Sequence, residues 1–309
     1  MVSARSIFSL LALVCLGSPD VGRAQNAGLA FLRIGTNAAA AAMGDAQTAH
    51  TRDAFATYWN PAGLGGAVGN SAAFSHHLWI GSSRTYSAAG RFQVGRQSGV
   101  GVFVTAMDSG DLEAREGPGD PDGFFNAQFV SVGGSIGRAF GPVRLGASAK
   151  FLSERIFATS AEGYAFDFGA QADFFESGIR LGLALLHLGE MNTLSAEATD
   201  LPTTLRAGLA VYPFRVVTTT DNAVLLNAYF TGEVSHVLPT ETTRLHIGAA
   251  VQVEDLVIAR AGFISNDELR GPTVGGGLGT GGLLFDYAFV PFDSGFGGSG
   301  HVLSLSYAW

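Results

Sequence analysis

Apolar and polar residues trade places at nearly every step over residues 70–309, and this period of two constrains the chain more than any other feature. Side chains of an extended strand point to opposite faces in turn, so such a run builds strands with one apolar and one polar face. In 143–154, Val143, Leu145, Ala147, Ala149 and Phe151 alternate with Arg144, Gly146, Ser148, Lys150 and Leu152. In 164–174, Tyr164, Phe166, Phe168, Ala170, Ala172 and Phe174 alternate with Ala165, Asp167, Gly169, Gln171 and Asp173. Segment 244–253 sets Leu245, Ile247, Ala249, Val251 and Val253 against Arg244, His246, Gly248, Ala250 and Gln252. A half-buried strand of a soluble protein shares this pattern, so alternation alone leaves both settings open.

The connections separate them. Strands are expected near 71–79, 83–93, 98–107, 126–138, 142–154, 163–175, 178–187, 203–214, 222–236, 242–253, 256–265, 271–279, 282–292 and 300–309. Turns at 95–97, 140–142, 176–178, 254–255 and 280–281 are short, whereas 108–125, 155–162, 187–202, 266–270 and 292–299 are mostly longer. Segment 214–221 and the Leu238-Pro239 turn depart mildly from this rule. Short turns at one end and long loops at the other mark an outer-membrane barrel, and an even strand count brings both barrel ends to the short-turn side. The expected fold is all-β, a 14-stranded antiparallel transmembrane β-barrel over residues 71–309, inserted in outer-membrane lipid.

In the last nine residues, Leu303, Leu305, Tyr307 and Trp309 share one face up to the terminal carboxylate. An edge strand of a soluble sandwich is the alternative to a closing strand that faces lipid. The aromatic ending resembles the C-terminal signal read by the bacterial barrel-assembly machinery, an expected partner. Opposite the apolar sets stand Arg144, Lys150, Glu154, Asp167, Asp173, Arg206, Glu233, Arg244, His246, Arg260 and Asp286, which are expected to line the lumen. An Arg or Lys turned to lipid at the bilayer midplane would cost about 2–4 kcal/mol. Mixed signs favour an internal ion-pair network over a charge-selective pore. Trp79 and Trp309, near strand ends, are expected as interfacial anchors.

The N-terminus adds an export signal. Arg5 precedes an apolar run at 7–17, and Val21-Gly22-Arg23-Ala24 offers small residues for cleavage after Ala24, so residues 1–24 are expected as a cleaved signal peptide. Cys15, the only cysteine, lies within it behind the bulky Val14, which argues against lipidation. No disulfide or thiolate chemistry is then expected of the mature chain. The 43 glycines and 14% charged residues also suit a disordered chain, but 23 phenylalanines do not. A net charge of −8 argues against nucleic acid.

Residues 25–70 do not alternate. Alanine-rich 37–49 is helix-compatible apart from Gly44, and Asn60-Pro61 reads as an N-cap and helix-starting proline, with Gly63 ending one turn. A piece this small cannot bury its own core. Within a barrel it would serve as a plug, burying Phe31, Ile34, Met43, Phe55, Tyr58 and Trp59 and offering Asp45, His50, Arg52, Asp53 and Asn60 to the charged wall.

Three stretches, Phe31-Leu32-Arg33-Ile34-Gly35, Met43-Gly44-Asp45-Ala46 with Asp53-Ala54, and Tyr58-Trp59-Asn60-Pro61-Ala62-Gly63-Leu64, together resemble the N-terminus of the PorV/PorQ family, outer-membrane proteins associated with type IX secretion and related to FadL transporters. The Asn60-Pro61-Ala62 element resembles the luminal hatch of FadL-like fourteen-stranded barrels, and 285–292 resembles the family's penultimate strand. Ala39 stands where many members have an arginine, so one plug-to-wall ion pair is expected to be missing. The resemblance implies a plug motif of Met43, Gly44, Asp53, Trp59, Asn60, Pro61, Ala62 and Gly63. Its first implied function is binding and shuttling of secreted cargo C-terminal domains, or of a secretion-system component. Its second is FadL-like transport of hydrophobic small molecules, for which a break in strand pairing is expected near glycine-rich 271–279.

Enzyme chemistry is not expected. No Gly-x-Ser-x-Gly elbow occurs, and no Ser–His pair for a lipase is evident. Gly277-Leu278-Gly279-Thr280-Gly281-Gly282 matches a dinucleotide fingerprint, but a strand rather than a helix follows, so no cofactor is expected. His76 and His77 are adjacent in a strand and point apart, which disfavours a joint metal site. The acidic loop 108–125, with Asp108, Asp111, Glu113, Glu116, Asp120 and Asp122, would suit calcium but is more simply a solvated surface.

Overall fold

The computed structural model describes residues 29–67, 69–115, 117, 119–174, 178–193, 200–217, 224–254, 256–292 and 298–309. The expected signal peptide 1–24 and Cys15 lie outside them. Fourteen antiparallel strands close a barrel: β1 (Ser71–Leu78), β2 (Arg84–Val94), β3 (Ser98–Asp108), then β6 (Ala127–Phe140), β7 (Val143–Ile156), β8 (Thr159–Phe174), β9 (Ile179–Met191), β10 (Thr204–Val217), β11 (Val224–Val237), β12 (Thr242–Val253), β13 (Val257–Ile264), β14 (Pro272–Thr280), β15 (Leu283–Pro291) and β16 (Ser299–Ala308). A short ribbon, β4 (Leu112–Ala114) with β5 (Gly123–Phe125), rises from the β3–β6 connection. β16 pairs with β1 from Ser71↔Ala308 to Leu78↔His301, and Asn70 and Trp309 exchange backbone hydrogen bonds of 2.8 and 3.0 Å. The C-terminal strand thus seals the cylinder and leaves the barrel itself without an open edge.

Alternation sorts the wall into two faces. Leu145, Phe151, Phe166, Phe168, Leu183, Ile247 and Val251 are exposed on the outside, while Arg144, Lys150, Asp167, Asp173, Glu233 and His246 are buried inside. Apolar outside and charged inside is the reverse of a soluble domain, and it is the arrangement lipid demands.

The ends differ in detail from the sequence reading. The expected loop 155–162 is a two-residue turn, with Phe157 at φ 56, because Arg155↔Ser160 and Ile156↔Thr159 extend the β7–β8 ladder. β9 likewise runs on to Met191 past its expected end at His187. The loop centres at 194–199, 218–223 and 293–297 lie outside the described residues. Trp79 does not stand at the lipid interface. It turns inward, its ring 5.0 Å from that of Phe292, against the buried cluster of Ala38, Val290 and Val302. Trp309 stands on the outward face, stacked 5.6 Å from Tyr307.

Glycine-rich β14 carries no pairing break. Its register runs unbroken from Phe263↔Pro272 to Val257↔Leu278 and on to β15. Register shifts occur instead in β8–β9 at Phe166/Phe168 and in β10–β11 near Val211/Phe214 and Val216/Val217. At the first, Leu186 and His187 oppose the single Asp167, with His187 at φ 60 and its N–H donated to Asp167 at 2.8 Å. The bulge forms there because a buried carboxylate can hold the extra amide.

Candidate functional site

The described part of the N-terminal segment, residues 29–67 and 69, lies against inward faces of the barrel wall. Helix is scarce in it. Within helix-compatible 37–49, Ala38–Ala41 makes one turn and the chain breaks at the expected Gly44, where Gly44 and Asp45 both take φ 61 and swing it onto β13. A side chain at Gly44 would strike the Phe263 backbone. Asp53 accepts the Phe55 N–H at 2.8 Å in the turn that leads into Ala56–Trp59. Asn60 ends that turn and starts the 3₁₀ turn Pro61–Leu64, which runs through Gly63 to Gly65.

Asn60 is fully buried and uses its whole amide. Its oxygen accepts the Ala62 N–H at 3.1 Å, and its Nδ2 donates to Thr48 O at 2.8 Å and to Ala170 O and Leu183 O, both at 3.2 Å. One side chain thereby ties two parts of the segment to two strands. Trp59 donates to Asn37 Oδ1 at 3.0 Å, and Tyr58 to Leu32 O at 2.6 Å. Met43 accepts from Tyr229 through sulfur at 3.6 Å. Elsewhere the segment is held by Ala38 N–H to Ser304 (2.8 Å), Gly44 N–H to Thr273 (3.2 Å) and Thr48 N–H to Glu233 (2.8 Å). Backbone lies directly on wall where Gly146 meets Pro61 and Ala62, and where Gly182 meets Thr48 and Ala49.

Most charges singled out on the wall are ion-paired; Glu154 is not, its Oε2 being buried without a hydrogen-bond partner. Arg144 grips Asp173 with both guanidinium ends at 2.7 and 2.8 Å, and Arg52 of the segment binds the same carboxylate. Lys150 lies 2.6 Å from Asp167 and 3.0 Å from His187 Nδ1, wholly buried beside the bulge. Arg206 pairs with Glu233 and donates to Asp45 O at 2.8 Å. Arg260 pairs with Asp286 at 2.5 Å, and Arg244 with Asp267 at 3.5 Å. Sequence reasoning missed Arg270, which joins Asp45 at 2.7 Å and Asp267 at 3.0 Å, because it sits in a loop with no alternation to place it. Arg180 was missed as well, although alternation signals it, since it opposes Leu181 and Leu183 on β9. It approaches Asp173 at 3.4 Å and lies over the Tyr212 ring.

A Ser–His pair that the sequence reading did not find is present. Ser235 Oγ lies 2.8 Å from His246 Nε2, whose Nδ1 is 2.7 Å from Gly44 O. The space beside it, about 30 Å³, admits little more than a water molecule, so the pair serves as a bridge from wall to segment. His77 is buried in the lumen, whereas His76 stacks on Tyr86. Among the described residues no group of three or more His, Cys, Asp or Glu is placed to hold a metal.

Two spaces flank the segment. The 30 Å³ space lies towards the long-loop end, between Leu32, Arg33 and Tyr58 and the wall residues Arg206 and Arg244. A cavity of about 310 Å³ lies towards the short-turn end, lined by Ala39, Met43, His50, Arg52, Asp53 and Phe55 of the segment and by Arg180, Tyr229, Ile258, Arg260, Leu284 and Asp286 of the wall. His50 stacks on Tyr229 at 4.4 Å and bonds Tyr212 OH at 2.6 Å. Burial, then the charges of Arg180, Arg260 and Arg52, push its imidazole down to about 3.

Comparison with family models finds no match, and no curated protein matches either. The chain does share its fold with solved outer-membrane barrels. The toluene transporter TbuX of Ralstonia pickettii is 13% identical, with a TM-score of 0.62 over 89% of this chain and 98% of its own. The toluene transporter TodX of P. putida is 12% identical, with a TM-score of 0.57 over 89% and 99%. A Pseudomonas aeruginosa FadL homologue is 13% identical, with a TM-score of 0.52 over 89% and 98%. In fold, the closed fourteen-stranded antiparallel barrel of this chain matches these barrels.

Proposed function

We propose that this barrel sits in the outer membrane and passes hydrophobic small molecules through its wall or lumen, with residues 29–69 as its plug. The observation that carries the reading is the likeness to TbuX over 89% of the chain, a transporter of toluene. Two physical features support it. The outside is apolar around the whole cylinder, and the cavity of about 310 Å³ beneath the segment falls at the small end of the size range for organic ligands, about 300–1,000 Å³. Export through the 1–24 signal and assembly through the C-terminal aromatic strand belong to the same reading.

Vesicles reconstituted with the purified full chain should take up toluene severalfold faster than protein-free vesicles. Equal rates count against passage. The secretion reading keeps its own support in the Tyr58–Leu64 and 285–292 resemblances. Recovery of secreted C-terminal domains with the tagged barrel, together with unchanged toluene uptake, favours it instead.

A further inference from the structure

The 30 Å³ space at the long-loop end is walled by arginine. Arg33 of the segment, Arg206 and Arg244 of the wall and Arg270 of the β13–β14 loop all line it, against one carboxylate, Asp45. The other counter-charges stand off the lining: Glu233 binds Arg206, and Asp267 binds both Arg244 and Arg270. Asp45 is itself held by Arg270 at 2.7 Å. Arg33 has no carboxylate within ion-pair distance among the described residues, and it feels both the attraction of Asp267 and the repulsion of Arg270. Four cations thus gather around three anions, and one positive charge is left over. The two imidazoles on the lining are already engaged, His187 with Lys150 and His246 with Ser235 and Gly44 O. Water screens these charges poorly, since the side chains of Arg206, Arg244 and Arg270 keep only 11%, 17% and 11% of their surface open. Such a surplus in so small a space is costly unless a counter-anion enters.

We propose that this space binds a single chloride ion, which bridges Arg33 of the segment to Arg206, Arg244 and Arg270 and so pins the segment to the barrel. Size and charge select the ligand. The space holds one halide or roughly two waters, and is too small for sulfate, phosphate or an organic acid. Asp45 on the lining also repels a second negative charge. Chloride carries no hydrogen, so it accepts from several guanidinium groups at once, whereas water must turn its own protons towards one of them. Because Arg33 belongs to the segment and the other three do not, an anion held between them binds only the seated form and stabilises it by mass action. The site does not depend on what the barrel passes.

The test uses the full chain in lipid nanodiscs, in sodium chloride, sodium gluconate or sodium sulfate at equal ionic strength, with trypsin cleavage after Arg52 reporting release of the segment. Cleavage should be at least about fivefold slower in chloride than in gluconate, the factor reached once chloride exceeds its dissociation constant about fourfold. Sulfate should give the gluconate rate. Arg33→Gln breaks no ion pair among the described residues, yet it should shrink the chloride effect to less than about twofold, and Arg33→Lys should keep part of it. A general salt effect on the barrel would persist in Arg33→Gln, which separates it from a bound ion. Crystals grown in sodium bromide should show an anomalous scattering peak between Arg33 and Arg244. Equal cleavage in chloride and gluconate, protection by sulfate, a chloride effect untouched by Arg33→Gln, or no bromide at this position overturns the proposal.

Discussion

Lys150 is an ammonium group buried inside a lipid-facing wall, and its position depends on one partner. Asp167 lies 2.6 Å away and also accepts the His187 N–H that forms the bulge. Asp167→Asn keeps the amide contact but removes the counter-charge, and should cost about 3–5 kcal/mol in urea unfolding of the barrel in vesicles. Adding Lys150→Met should recover most of that loss, because no buried charge is then unpaired. An additive double variant would show that the pair is not coupled. His50 makes a residue-scale prediction of opposite character. Its free imidazole titrates near 6.5 and the folded one near 3, so between these values the unfolded chain takes up a proton that the native state refuses. Stability contributed by a neutral His50 is therefore complete above 6.5 and declines as pH falls towards 3. The wild type should lose stability over this window more steeply than His50→Gln, measured as the shift in urea midpoint with pH.

At the scale of elements, the strands were readable and the N-terminal segment only partly so. All fourteen barrel strands fall where alternation puts them, since lipid on one side and charge on the other forbid a register slip. Strand ends were less legible: β7, β8 and β9 outrun the alternating core because cross-strand pairing continues where the face pattern fades. In the segment, helix propensity placed the break at Gly44 but not how little helix would form before and after it. Alanines at 37–49 suit a helix, but the chain instead lies flat on wall glycines that no local rule connects to it. Gly182 is one such contact, where a side chain would meet Thr48 and Ala49. Gly182→Leu should leave the barrel folded, judged by heat-modifiable migration in gels, while trypsin cleavage after Arg52 speeds up by about tenfold or more, matching an overpacking cost of about 1–3 kcal/mol. Unchanged cleavage would mean that this contact does not hold the segment.

For the whole molecule, closure is the decisive event. The Asn70–Trp309 hydrogen bonds and the β1–β16 ladder join residues at opposite ends of the sequence, and without them two long edges would face lipid. Deleting 307–309 should lower the amount of heat-modifiable barrel recovered in outer membranes severalfold without altering synthesis, checked by fractionation and immunoblot. The sequence by itself determined the strand number, the two faces and the side of the wall on which each charge stands, because alternation is a local property that the bilayer enforces residue by residue. Only the tertiary structure decided which charges meet, that Arg52 and Arg180 crowd onto a carboxylate already held by Arg144, that Trp79 turns inward, and that the pairing irregularity lies beside His187 instead of in the glycine-rich strand. The farthest of these, Arg52 with Asp173 and Trp79 with Phe292, join residues more than a hundred positions apart, and closing the cylinder is what brings them within reach of one another.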